Sequence, residues 1–420
     1  MTFKLPICNP SPYPRRGHVT IPLPRVNEEA RRAGRSELGV GPGAGPVTLL
    51  DAAGEPLPSQ LDDILPGDPS SAALCFSLTE ELRPGTEADY REPALCVTVA
   101  GRKSPAAGRV IDPKLALDVI KLGGETRGVK LLNSRLEVWF NFAPSLHEEG
   151  QHWYAGAATS VRLDGDELLD PNSSWEIHDW EKRCMQLYYL RLPRPAWAPN
   201  FYLDVGLVGQ PYQLKSTSVG PVRVSFTVAS PPFEYVYGDP LTRQERSLEC
   251  RLYRVISLYA GADYVSEELC VKGVPKGGDS AGGVPLSFIA SYFTYINAMR
   301  LHYSRYANVP DWFAVSSLAR PFISYGFATD VHAGPVTKPH PGFPNWDKEE
   351  NSFSWQLYPS QYARCLHLFM RFRPGVEGAG SENFSAYEAR KADEARQHFE
   401  DRTGQRWYEE IFKPLGLRIG

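Results

Sequence analysis

Nowhere do the 420 residues contain a run of 18 apolar side chains, so the sequence predicts no membrane-spanning helix. Charge is equally undramatic. Lys and Arg number 45 against 49 Asp and Glu, a net charge of -4, and neither sign gathers into blocks. That argues against nucleic acid or an anionic membrane surface as the partner. Cysteine is scarce: seven residues, an odd number with no Cys-x-x-Cys spacing. Cys75, Cys96, Cys270 and Cys365 each sit in an apolar run, as small buried hydrophobes of a reducing compartment do. The segment Met1–Pro10 lacks the apolar core of a secretory leader. The chain as it stands reads as cytoplasmic, although prior removal of a leader is compatible with it. A phosphate loop of Walker spacing, a dinucleotide Gly-x-Gly-x-x-Gly and a His-Glu-x-x-His zinc motif are all missing. There is no internal repeat.

Aromatic residues, by contrast, make up 12% of the chain, with 21 Tyr and 9 Trp, a richness that suits broad β-sheet faces. Short strand signals recur at His18–Leu23, Val47–Leu50, Ala73–Leu78 and Ala94–Val99, punctuated by Gly and Pro. Pro22 marks its strand as an edge, and Asp51-Ala-Ala-Gly is a turn. This pattern predicts a small all-β barrel or sandwich over residues 1–105, with Arg102–Arg109 as linker. Beyond it, Leu136 to Phe142 alternates apolar with polar. Ala155–Leu163 reaches Asp164-Gly165, the signature of a tight hairpin. Further strands are expected at Met185–Leu192, Phe201–Val208, Tyr212–Ser216, Val222–Val228, Cys250–Tyr259, Tyr264–Val271, Phe322–Ala328 and Cys365–Phe372. Helical periodicity between 110 and 372 is a possibility only at Phe288–Leu301. The fold class predicted is therefore mainly β: the small N-terminal domain, then a large antiparallel sandwich over 110–380. A C-terminal helical segment over 381–420 follows, because Ser385–Asp401 is rich in helix formers with a narrow alanine stripe. That helix would dock on the sandwich or on a second copy of the chain, making a homo-oligomer.

Two groups of segments carry a resemblance. Arg16-Gly-His-Val-Thr-Ile-Pro-Leu-Pro, together with Val47 to Gln60, resembles the small β-barrel opening the exo-rhamnogalacturonan lyase family. Similar wording occurs in the β-domains of α-mannosidase-type glycosidases. Gly220 to Val228 and Leu252 to Val265 resemble that lyase family's central sandwich, and more broadly the mutarotase-like super-sandwich of carbohydrate-active enzymes. The resemblance spans roughly residues 10 to 370 through loose strand signatures, none of them catalytic. Those lyases continue into a large α/α toroid that contributes to their cleft, and this sequence does not show one. The resemblance thus implies a fold and a carbohydrate substrate, without transferring catalytic residues.

Candidate chemistry concentrates between Arg320 and Phe369, plus one cluster upstream. His178 stands among Asp179, Glu181, Lys182 and Arg183, where a carboxylate could orient its ring. Arg183 could clasp a uronate carboxylate with its planar fork. Asp330 and His332 are two apart, so in an extended chain they share a face as an acid–base pair. With His178 or His367 they could also hold a divalent metal, although nothing in the sequence requires a cofactor. Tyr325 precedes them as a proton donor or as a core aromatic. Trp346 and Trp355 flank Asp347, Glu349 and Glu350, suiting sugar stacking and a carboxylate pair. His340 rides a Pro-rich loop that could overhang a cleft. His367 alternates with Cys365 and Phe369, the setting of a hydrogen-bonded core histidine.

With the carbohydrate context that the resemblance implies, these residues favour a glycosidic-bond-cleaving enzyme, with β-elimination at a uronic acid first. His178 or His332 would act as base, Tyr325 as acid, Arg183 as carboxylate clamp, and Trp346 and Trp355 as sugar grips. A hydrolase using Asp330 with Asp347 or Glu350 is the alternative. A non-catalytic glycan-binding or assembly protein is the third.

Overall fold

A computed structural model of the chain describes residues 2–7, 17–39, 47–51, 53–62, 72–78, 95–101, 111–142, 158–168, 185–193, 202–203, 212–238, 245–273, 288–296, 299–303, 312–317, 323–329, 333–336, 352–360 and 362–371. The chain is mainly β, built from antiparallel sheets.

The first stretch gives β1 (Thr2–Ile7), β2 (His18–Pro22), α1 (Leu23–Arg32), β3 (Val47–Leu50), β4 (Pro56–Leu57), β5 (Ser59–Asp62), β6 (Ala73–Ser77) and β7 (Leu95–Gly101). They form two sheets, in the orders β1-β7-β3-β4 and β2-β6-β5. Phe3, Leu5 and Ile7 alternate inward from β1 to meet Val19, Ile21, Leu49, Leu74 and Phe76 in one core. Strand β2 is an edge, as Pro22 predicts. Helix α1 departs from the sequence reading, which runs the strand to Leu23 and predicts no helix after it. Pro24 lies in its first turn, where a missing N–H costs nothing. Leu23, Val26 and Ala30 step three and four apart to make its buried face. Glu28 and Glu29 both pair with Arg32 on the exposed side.

Next come β8 (Ala116–Leu122), β9 (Glu125–Leu132), β10 (Leu136–Asn141), β11 (Ala158–Leu163) and β12 (Asp166–Glu167), a five-stranded sheet in the order β12-β11-β10-β9-β8. Leu136, Val138 and Phe140 are its inward set. The Asp164-Gly165 hairpin forms as predicted. Both residues have positive φ, 51° and 92°, as a primed turn requires. Gly128 in β9 is obligatory for packing, since a Cβ there would lie 2.2 Å from the Phe140 carbonyl oxygen.

The remaining strands are β13 (Met185–Pro193), β14 (Tyr202–Leu203), β15 (Gln213–Val219), β16 (Arg223–Ala229), β17 (Phe233–Gly238), β18 (Glu245–Tyr259), β19 (Tyr264–Gly273), β20 (Phe288–Ile296), β21 (Met299–Tyr303), β22 (Trp312–Ser317), β23 (Ile323–Thr329), β24 (Ala333–Val336), β25 (Ser352–Ser360) and β26 (Tyr362–Arg371). A nine-stranded sheet runs β15-β16-β18-β19-β26-β23-β22-β21, with β17 also on β18. A second five-stranded sheet runs β14-β13-β20-β25-β24. The possible helix at Phe288–Leu301 is thus corrected to strands β20 and β21. Its Phe-Ile-Ala-Ser-Tyr-Phe-Thr-Tyr-Ile run is aromatic and β-branched, which favours a pleated sheet over a helix. The linker 102–109 and the C-terminal helix expected at 385–401 lie outside the described residues.

Candidate functional site

Register across the nine-stranded sheet has no irregularity from β16 through β18, β19 and β26 to β23, so its two faces can be read strand by strand. One face carries Val224, Phe226 and Val228, then Leu252, Arg254, Ile256 and Leu258. It continues with Val265, Glu267, Leu269 and Val271, and with Cys365, His367 and Phe369. Phe226 of this face meets Phe140 of the first five-stranded sheet and Phe142 just beyond β10 at ring separations of 5.4 and 5.7 Å. This is a sandwich core, and three polar side chains are sunk in it.

Glu267 is their hub. Its Oε1 accepts from Arg254 Nε at 2.5 Å, and its Oε2 lies 3.0 Å from His367 Nε2. Arg254 is 2% exposed, and Glu267 and His367 are at 0%. Tyr212 lies under the Arg254 guanidinium, 5.9 Å from ring centre to charge centre. Burial alone would raise the Glu267 pKa, but Arg254 and the hydrogen bond from His367 outweigh it and bring it down to about 2. Burial together with the neighbouring Arg254 charge pushes His367 below its ordinary value despite Glu267. The ring is therefore neutral and gives its Nε2 proton to the carboxylate. Burial pushes the Tyr212 hydroxyl up to about 12. A carboxylate this acidic and a phenol this basic are both poorly matched to proton transfer near neutral pH. The cluster is a paired, buried structural centre, and His367 is the core histidine its alternation predicts.

The opposite face carries Arg223, Ser225 and Thr227, then Tyr253, Ser257 and Tyr259, then Tyr264, Ser266, Glu268 and Lys272. Four hydroxyl residues here, Ser225, Thr227, Ser257 and Ser266, are buried, so they belong to the interior rather than to an open cleft. At the end of this face, Arg223 and Tyr259 meet Asp62 of β5 and Thr20 of β2.

Among the predicted site residues, Tyr325 falls in β23, its backbone opposite Phe369 and Val315. Trp355 falls in β25 of the other sheet, opposite Tyr292 and Pro335. The structure therefore assigns these two to different sheets. His178, Arg183, Asp330, His332, His340, Trp346, Asp347 and Glu350 lie outside the described residues. Asp330 nevertheless follows directly on Thr329, the last residue of β23. Thr329 is registered with Cys365, and Cys365 with Glu267. One transverse row thus links the buried carboxylate to the strand end from which Asp330 and His332 depart. Among the described residues no group of three His, Cys, Asp or Glu is placed to hold a metal ion.

No family model matches the sequence, and no curated protein does. Among solved structures, the chain is similar to a glycosyl hydrolase family 38 protein from Enterococcus faecalis. Identity is 7% and the TM-score 0.40, over 94% of this chain and 46% of that one. An α-mannosidase from Enterococcus faecalis V583 matches at 8% identity and TM-score 0.39, over 94% and 45%. A candidate mutarotase, YeaD, from Salmonella typhimurium matches at 11% identity and TM-score 0.31, over 61% and 97%. The chain spans about half the length of the first two. None of the three is a rhamnogalacturonan lyase, and likeness this loose assigns no role to any residue.

Sequence reading missed the Arg254–Glu267 pair because alternation alone makes both look like interruptions of an apolar strand. A charged residue at an inward position in each of two successive strands was the available signal. One further run, Gly278-Asp279-Ser280-Ala281-Gly282, has nucleophile-elbow spacing and lies outside the described residues.

Proposed function

We propose that this chain is a carbohydrate-active protein that cleaves a glycosidic bond, with β-elimination at a uronic acid as the first reading. The observation that carries it is the row from Glu267 through Cys365 to Thr329. It fixes the end of β23 to a buried ion pair immediately before Asp330-Val-His332. The sugar context comes from the strand signatures of the small barrel and central sandwich.

In the elimination, His178 or His332 takes the C5 proton and Arg183 neutralises the adjacent carboxylate. The C4–O bond breaks as the C4=C5 double bond forms, and Tyr325 protonates the departing oxygen. Trp346, Trp355, Asp347 and His340 would contact the sugar. Hydrolysis through Asp330 with Asp347 or Glu350 is the second reading, and binding without cleavage the third. A divalent metal on Asp330 and His332 is compatible with either reaction.

The test is incubation with uronate-containing polysaccharides and oligosaccharides, with and without EDTA. Ultraviolet absorbance of the unsaturated product and the yield of reducing ends are followed together. Rising absorbance supports elimination, and its loss with EDTA adds the metal. New reducing ends without absorbance transfer the assignment to the carboxylates. Neither signal, with retained glycan binding, removes the enzyme reading.

A further inference from the structure

The junction between the small domain and the nine-stranded sheet is built more like the inside of a domain than like a contact between two. Gln60 and Asp62 of β5 reach the β15–β16 turn across about 160 residues of sequence. The Gln60 side-chain oxygen accepts from the backbone N–H groups of Val222 and Arg223 at 3.0 and 2.9 Å. Its amide nitrogen donates to the Arg223 carbonyl at 3.0 Å and to Asp62 at 2.7 Å. One side-chain amide thus bonds the Arg223 backbone as a neighbouring strand would. Asp62 takes the Arg223 guanidinium through Nε and the Ser218 hydroxyl at 2.6 Å. Both charged side chains are essentially inaccessible, at 0% and 1%. Alongside, Thr20 meets the Tyr259 hydroxyl at 3.0 Å, and that hydroxyl accepts from Arg223 at 3.1 Å. His18 stacks on Tyr259 at 5.1 Å and reaches the Ala260 carbonyl at 3.0 Å. Gly220 fits only because it lacks a Cβ, which would stand 2.3 Å from the Gln60 oxygen.

We infer that the small N-terminal domain is an intramolecular plug for the Arg223 end of the nine-stranded sheet, so that the two open and close as one cooperative unit. A buried guanidinium stripped of its carboxylate is strongly destabilising. Separating the two parts would strip Arg223 while also exposing two backbone N–H groups and a carbonyl that now have partners across the junction. The small domain is thus a fixed part of the scaffold. This inference is independent of the proposed reaction.

The test is hydrogen exchange of the full chain, read by mass spectrometry under rising denaturant. Peptides covering 18–22, 59–62 and 73–77 should open with the same denaturant dependence as those covering 223–229 and 250–259. Asp62→Ala should uncouple them, speeding exchange in the small domain on the order of a hundredfold or more while 128–141 keeps its protection. Independent opening of 18–77 in the unsubstituted chain overturns the inference, and so does unchanged coupling in Asp62→Ala. If Asp62→Ala does not fold, Gly220→Ala, which presses on the Gln60 side-chain amide, decides between the same two outcomes.

Discussion

His367 gives its Nε2 proton to Oε2 of Glu267 across 3.0 Å, from a strand 100 residues further along the chain, and neither side chain reaches solvent. The bond ties β26 to β19, and β26 in turn carries β23. A carboxylate with Arg254 on one oxygen and a neutral histidine on the other has its charge met and both oxygens engaged.

Glu267→Gln should therefore be among the most destabilising single substitutions in the sheet. It leaves the Arg254 guanidinium charged and buried without its counter-ion, at a cost of about 3–5 kcal/mol. Urea unfolding would read this as a fall in midpoint at constant slope. The joint replacement Arg254→Met with Glu267→Leu should recover most of the loss, because it removes both charges together. A Glu267→Gln protein as stable as the parent would show that the pair contributes nothing.

The same centre sets an acid limit on stability. The Glu267 pKa falls from an ordinary 4.5 to about 2 in the folded chain, and Arg223 with its neighbours lowers that of Asp62 against burial. A depressed carboxylate pKa means the unfolded chain binds more protons between the two values, so stability rises with pH across that window. The contribution is complete above about pH 4.5 and disappears as pH falls towards 2. His367, lowered from 6.5, acts in the same direction from a higher starting point. Its neutral form is favoured in the fold, so stability begins to decline below pH 6.5. Unfolding free energies measured between pH 2 and 8 should fall monotonically towards acid. Glu267→Gln should flatten the acid part of that profile.

Gly128→Ala tests the close approach of β9 to β10. A methyl group there would sit 2.2 Å from the Phe140 carbonyl oxygen, against backbone that cannot rotate away. Overpacking of this kind costs about 1–3 kcal/mol. Thermal unfolding should show the loss, whereas Gly123→Ala meets no neighbouring atom and loses stability only through its positive φ of 61°.

Local patterns carried much of the fold in the sequence itself. Val47–Leu50 is a strand to the residue. The alternation from Leu136 gives a strand with every other residue buried. Asp51 accepts from the N–H groups of Ala53 and Glu55 as its turn predicts. Cys75, Cys270 and Cys365 are buried, as their apolar runs predict. What could not be read is what depends on strand order. Arg254 and Glu267 are 13 residues apart and meet only because β18 and β19 are a hairpin of a particular register. Asp62 and Arg223 are 161 residues apart, and no periodicity connects them. Helix α1 was hidden for the opposite reason: its strongest cue, Pro24 in the first turn, reads equally well as the end of a strand.

Tyr325→Phe separates the proposed reaction from its alternatives. If Tyr325 protonates the leaving oxygen, removing one hydroxyl should lower kcat on substrates with a poor, unactivated sugar leaving group by about 10²–10⁴-fold, while KM stays within a few-fold. His332→Ala should do the same if it is the base, and Asp330→Asn should have a smaller effect through the orientation of that ring. In the hydrolytic reading the order inverts: Asp330→Asn abolishes turnover and Tyr325→Phe is nearly silent. Stability distinguishes both from a packing defect. Tyr325 is registered opposite Phe369, one alternation from His367, so a purely structural tyrosine would lower the unfolding midpoint and leave kcat of the folded fraction unchanged.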